Sequence, residues 1–192
     1  MRKLFVFVLA ASLLSACTKD PLEPGPSPLP VMRYNDLQNA EVRFSQAKSV
    51  DIDNDGKADF YFGVTLVGDP LLKRDRWQYI AHSKVGTHLL NDEHDQSPML
   101  HKGDWVYASQ PGYQWFEISA IVLAEKIVTM TETYWEGLWK NAAHKYLPVQ
   151  LQKDQKTYNG WIELSFDAGS EKLILHRSAI STEANKAVKA GF

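Results

Sequence analysis

The stretch from Val50 to Val64, VDIDNDGKADFYFGV, sets carboxylates at Asp51, Asp53, Asp55 and Asp59, with Gly56 among them and aromatic and β-branched residues immediately after. Counted from Asp51, acids at positions one, three and five followed by glycine at six are how a short loop wraps oxygens around a hard divalent cation, the glycine providing the sharp turn. Lys57, at position seven, would offer its backbone carbonyl, and Asp59, at nine, would close the shell directly or through water. Without a cation the clustered carboxylates repel one another, and Ca²⁺ removes that penalty. The expected cofactor is therefore calcium, held by Asp51, Asp53, Asp55, Lys57 and Asp59. The alternative is a solvated hairpin, because Asn54-Asp55-Gly56 is also good turn chemistry.

An EF-hand would need a bidentate Glu at position twelve and a helix on each side. Position twelve is Phe62, and the flanks read as strands. The loop resembles instead the D-x-D-x-D-G-x-x-D segments of integrin-type propeller repeats and thrombospondin-type repeats, which bind calcium in a β or irregular context. Those proteins carry many copies and this chain carries one, so neither a propeller nor a calcium array is implied.

Other chemistry is less well supported. His82, His88, His94 and His101 are spaced too widely, with turn residues between, for the tight pairs of a zinc site. There is no G-x-S-x-G elbow, P-loop or dinucleotide glycine pattern. Glu117, Glu132, Glu136 and Glu163 offer carboxylates for a polysaccharide hydrolase, which needs two of them about 5 to 10 Å apart across a cleft. Outward glutamates on strands are more often simply solvated. Among the 6 tryptophans, Trp77, Trp105, Trp115 and Trp161 read as core. Tyr134, Trp135 and Trp139 lie in TYWEGLWKN, where polar neighbours leave two readings open: stacking on a glycan or an envelope protein partner, or packing inside.

The elements that must position these residues begin after an export signal. Arg2 and Lys3 precede an apolar run from Leu4 to Leu14, too short for the roughly 20 residues of a membrane span. Leu14-Ser15-Ala16-Cys17 resembles the lipobox of bacterial lipoproteins, which implies a signal peptide over 1–16, acyl chains on Cys17 and a membrane anchor. Cys17 is the single cysteine, so the folded part has no disulfide and must rely on its core or a metal. Pro21, Pro24, Pro26, Pro28 and Pro30 mark 17–31 as an extended spacer. The 192-residue chain carries a net charge of −2 and no basic stripe, which argues against nucleic acid as a partner.

The remainder, 32–192, reads as one β-rich domain. Glu41 to Phe44 alternates, Phe60 to Val67 is β-branched and aromatic, and in Trp77 to His82 the residues Trp77, Tyr79 and Ala81 share a face. Ile162, Leu164 and Phe166 point one way and Glu163 and Ser165 the other. Asp167 to Ser170 then turns the chain into a strand over Lys172 to His176. Tyr113 to Leu123 fits helix or strand, and Ser181 to Phe192 predicts a short helix or a frayed end. Many short strands with polar turns predict an antiparallel β-sandwich, jelly-roll-like.

Three stretches, VDIDNDGKADFYF, MLHKGDWV and YNGWIELSFDAGSEKLILHRSAIS, stand in an order that resembles a group of uncharacterised exported lipoproteins of Gram-negative bacteria. The resemblance implies a single β-rich domain and implies no activity; the lipid anchor is what places the chain in the cell envelope, at the outer membrane. Replacing Cys17 by serine is expected to abolish labelling by a palmitate analogue in bacterial cells and to move the chain from the membrane to the soluble fraction.

Overall fold

The structure, a computed structural model, describes residues 29–192; the expected signal peptide, Cys17 and most of the proline-rich spacer lie outside the described residues. Thirteen strands follow in order: β1 (Met32–Val42), β2 (Lys48–Val50), β3 (Phe60–Asp69), β4 (Arg74–Ser83), β5 (Thr87–Asn91), β6 (Trp105–Val106), β7 (Gln114–Glu117), β8 (Ala120–Thr129), β9 (Thr133–Glu136), β10 (Lys145–Lys153), β11 (Lys156–Asp167), β12 (Lys172–Ser181) and β13 (Val188–Lys189). No helix occurs among the described residues.

Two open antiparallel sheets form the sandwich. One has 6 strands in the order β1-β12-β11-β10-β5-β7, and the other has 5 in the order β2-β3-β4-β8-β9. The chain crosses between them repeatedly, from β1 to β2, β4 to β5, β7 to β8 and β9 to β10, which gives the jelly-roll-like weave. Alternation decides which side chains meet in the middle, since successive residues of a strand face opposite ways. Phe60, Phe62, Tyr79, Ile121 and Leu123 from one sheet bury against Leu89, Leu147, Val149, Ile162, Leu164 and Leu175 from the other. Removal of this apolar area from water, at about 25 cal/mol per Å², is what holds the layers together.

The segment over Tyr113 to Leu123 resolves into two strands, β7 and β8, broken at Ile118, whose φ of 52° no regular strand accommodates. The expected helical or frayed end is corrected as well. Its Val188–Lys189 pair ladders with Trp105–Val106, and Ala190 exchanges backbone hydrogen bonds with Gly103 and Asp104 at 2.8 Å each. This ribbon covers a second, smaller core on the outer face of the larger sheet, made of Leu100, Val106, Tyr146, Trp161, Ala179, Val188 and Ala190. An apolar outer face over Trp161 had to be covered by something, and the tail does it.

The tryptophans divide differently from their reading as core. Trp161 is fully buried, but Trp105 is 37 % exposed and stacks on Tyr107, ring centres 5.8 Å apart. Trp77 and Trp115 are half-buried. Both residues before Trp161 serve its strand, and Gly160 shows why. A Cβ there would lie 2.4 Å from the Ala179 carbonyl oxygen and 2.8 Å from Ile180 Cδ1, so only glycine lets β11 and β12 approach. Gly160→Ala is expected to cost about 2 to 3 kcal/mol of stability, as overpacking of a rigid site does, measured as a fall in the midpoint of chemical denaturation.

Candidate metal centre

The acidic stretch is the connection between β2 and β3, which pair antiparallel with Val50 opposite Phe60. Asp59 N–H closes the base of the loop on Val50 O at 2.8 Å. Ile52, fully buried, plugs into the main core and pulls the loop inward. The chain then reverses through Asn54 at φ 57° and Gly56 at φ 86°, left-handed conformations that asparagine and glycine tolerate best. As a result Asp51, Asp53 and Asp59 face a shared centre, each offering an oxygen, all within 4.8 Å of one another. Asp53 and Asp59 are each only 8 % exposed.

Backbone amides hold the carboxylates in place. Asp51 accepts from Gly56 N–H at 2.8 Å and from Asp55 N–H at 3.2 Å. Asp59 Oδ2 accepts from Ile52 N–H at 2.8 Å. Outside the loop, Asn35 donates to the Asp51 and Ile52 carbonyls at 3.2 and 2.9 Å, and Arg33 donates to the Asp53 carbonyl. Thr87 Oγ1 donates to Asp59 O at 2.9 Å, tying the loop to β5. The loop is thus tied to two elements besides its own strands, β1 and β5.

Its charge is less well balanced than its backbone. Burial, reinforced by the negative charges of Asp53, Asp51 and Asp55, pushes the Asp59 carboxyl up to about 6, against the opposing pull of Ile52 N–H. Lys153, at the end of β10, pairs with Asp53 Oδ2 and reaches Asp55 Oδ2 at 3.2 Å. The other buried oxygen, Asp53 Oδ1, has no hydrogen-bond partner. An orphan buried carboxylate oxygen is costly, and it is the kind of group that a cation satisfies.

Not all of the predicted ligands gather here. Asp55 turns aside to accept from Lys57 N–H at 2.9 Å, and that bond together with Lys153 holds its carboxyl below the usual range. Lys57 is exposed. Sequence reasoning missed Lys153, Arg33 and Asn35, which carry no motif and reach the loop only through the pairing of distant strands. The two-residue turn at Asp154 and Gln155, both left-handed, fixes where β10 ends and hence where Lys153 stands.

The candidate stacking residues need correction. Trp139 is 1 % exposed and donates its Nε1–H to Ser97 O at 3.2 Å, so it is sealed inside. Trp135 packs half-buried against Tyr79 and Phe166, ring centres 5.8 and 5.0 Å away. Both rings bury because Gly137, at φ 102°, lies against the Leu123 backbone and turns the segment onto the core. Tyr134 is half-buried on the opposite face of β9. The candidate glutamates lie on separate elements: Glu117 on β7, Glu132 between β8 and β9, Glu136 on β9 and Glu163 on β11. Although burial pushes the Glu163 carboxyl up, Arg177 and His144 hold it below the ordinary range.

Comparison of the chain with protein-family models, with curated proteins and with solved structures gives no match. The chemistry of the loop therefore rests on its geometry. A carboxyl whose folded-state pKa lies above its unfolded value binds its proton more tightly when folded. It favours folding while protonated, and that contribution is lost as pH rises through the folded pKa. For the metal-free protein, Asp59 is expected to make stability fall as pH is raised from about 4 to 7. Asp59→Asn should flatten that slope, as followed by thermal denaturation in chelator-treated buffer.

Proposed function

We propose that this chain is a lipid-anchored domain of the bacterial cell envelope, at the outer membrane, whose β-sandwich is held together by a calcium ion, and that it serves as a binding or structural protein. The observation that carries the calcium reading is the meeting of Asp51, Asp53 and Asp59 oxygens within 4.8 Å, one buried carboxylate oxygen of Asp53 being unpartnered. An all-oxygen donor set suits a hard cation. An irregular loop, lacking the near-ideal octahedral frame that Mg²⁺ demands, favours Ca²⁺. Lys153 brings one positive charge to a cluster of several negative ones, and a divalent ion supplies two more.

Lipidation at Cys17 and the proline-rich spacer give this reading its location, and both come from the sequence. For a ligand, the Trp105–Tyr107 stack offers an exposed aromatic surface, with Lys189 Nζ 5.0 Å from the Trp105 ring centre. A flat aromatic pair beside a cation suits a sugar ring or the apolar groups of an envelope protein.

Adding Ca²⁺ to chelator-treated protein is expected to raise the melting temperature. At a hundredfold excess over Kd the folded state gains about 2.7 kcal/mol. For a chain of this size that is a rise of roughly 5 to 10 °C. Asp53→Ala should abolish the response, and Lys153→Met, which removes the internal cation, should enlarge it. A flat melting curve at millimolar Ca²⁺ in the wild-type protein rejects the ion.

A further inference from the structure

The outer face of the larger sheet carries a second polar constellation, remote in sequence from the acidic loop. Ser165 of β11 stands with its Oγ 2.7 Å from Nε2 of His176 on β12, and His176 Nδ1 lies 2.7 Å from Asn39 Oδ1. With the imidazole neutral, one proton arrangement satisfies all these contacts. The amide oxygen of Asn39 can only accept, so His176 Nδ1 carries the proton and Nε2 presents a lone pair. Ser165 Oγ–H then donates to Nε2, while the Oγ itself accepts from His144 N–H at 2.9 Å. The result is a hydroxyl aimed at a base whose far side is oriented by a third group.

The backbone is deformed to achieve this. His176 is the residue that pairs with neither neighbour: on β1 the register jumps from Asp36–Arg177 to Ala40–Leu175, and on β11 from Glu163–Arg177 to Leu164–Leu175. A bulge of this kind re-aims one side chain out of the ladder. Opposite it, β1 loops out over 37–39, with Gln38 at φ 55° and Asn39 at φ 53°. His144, whose ring stacks on His176 with centres 4.2 Å apart, has φ 49°. Left-handed non-glycine residues are strained and persist where the surroundings enforce them. Here several of them converge on one hydroxyl and one imidazole.

We infer that Ser165, His176 and Asn39 form a nucleophilic acyl-transfer site that hydrolyses carboxylic esters. Ser165 Oγ bonds to the ester carbonyl carbon as its proton passes to His176 Nε2. The carbon–alkoxy bond then breaks, and the leaving alcohol takes that proton. Water, deprotonated by His176, attacks the acyl-serine, and the carboxylic acid leaves as the proton returns to Ser165 Oγ. Asn39 holds the imidazole in the tautomer that accepts from serine. Arg177, tied to Glu163 Oε2 at 2.5 Å, lines the same recess and offers positive charge to the developing oxyanion.

The recess, of about 470 Å³, is also lined by Tyr34, Asn35, Asp36 and His144. Its open form, with polar groups set in a largely apolar lining, fits a small acyl ester. His176, Asn39 and His144 line this recess and Ser165 stands beside it, Ser165 and His176 half-buried and Asn39 and His144 exposed. Burial, assisted by the charges of His144 and Arg177 against the pull of Glu163, lowers the His176 pKa, keeping the base neutral at pH 7.

Full-length protein is treated with a fluorophosphonate probe and mapped by peptide mass spectrometry, and p-nitrophenyl acetate hydrolysis is followed in parallel. The inference expects covalent label at Ser165, none in Ser165→Ala, and hydrolysis about 10²-fold or more slower in Ser165→Ala and His176→Ala. Asn39→Ala should slow it less. The wild-type rate should rise with pH through a single ionisation below 6.5, which a merely structural hydrogen-bond chain would not produce. Absence of label at Ser165 in the folded wild-type protein overturns the inference, and that measurement needs no variant to fold. Hydrolysis unchanged in a folded Ser165→Ala protein overturns it as well.

Discussion

The constraint around which the sandwich is arranged is that carboxylates must be carried into its end. Ile52 belongs to the main core, and it cannot be buried unless its neighbours Asp51 and Asp53 go in with it. Burying charge is expensive unless it is paired or hydrogen-bonded. The chain meets that demand with loop amides on Asp51 and Asp59, with Lys153 on Asp53 and Asp55, and with Arg33 and Asn35 on the loop carbonyls. These partners come from β1 and β10 of the opposite sheet, so one loop ties both layers. Asp53 Oδ1 remains outside this settlement.

Much of this was legible in the sequence, for physical reasons that particular residues make plain. Period-two alternation located β4 and β11, because one face of each is buried and a polar residue there would be costly, while an aromatic and β-branched run marked β3. Asp167, which accepts from Ser170 N–H at 3.0 Å, marked the turn between β11 and β12 through local chemistry alone. The acidic loop was visible because metal-ligand spacing within one turn is a local property. Asp55 escaped the expected set because its side chain satisfied a nearer amide, Lys57 N–H, in preference to the shared centre.

What the sequence did not disclose depends on pairing between distant strands. Trp139 carries polar neighbours and still lies inside, because Gly137 bends the segment inward and Ser97 O receives the indole N–H. The tail over 181–192 has a composition that suits helix or fray. It becomes ladder and turn because the outer surface around Trp161 and Ala179 gives it something to cover. His176 and Asn39 are 137 positions apart, and nothing in either neighbourhood announces a bulge. Intrinsic preference was overridden in each case by a partner that only the fold supplies.

The looped-out segment of β1 has a further effect. β1 is an outermost strand of its sheet and, at 11 residues, the longest such edge, whereas the other edges, β7, β2 and β9, have only 4, 3 and 4. A long regular border would present an unbroken row of free amides and carbonyls on which another copy's strand could dock, the first step of edge-to-edge aggregation. With Gln38 and Asn39 kinked out, that row is interrupted midway, and an intruding strand finds no continuous register to follow. Straightening that irregularity would restore a continuous border of unpaired backbone groups, the template on which edge-to-edge association starts.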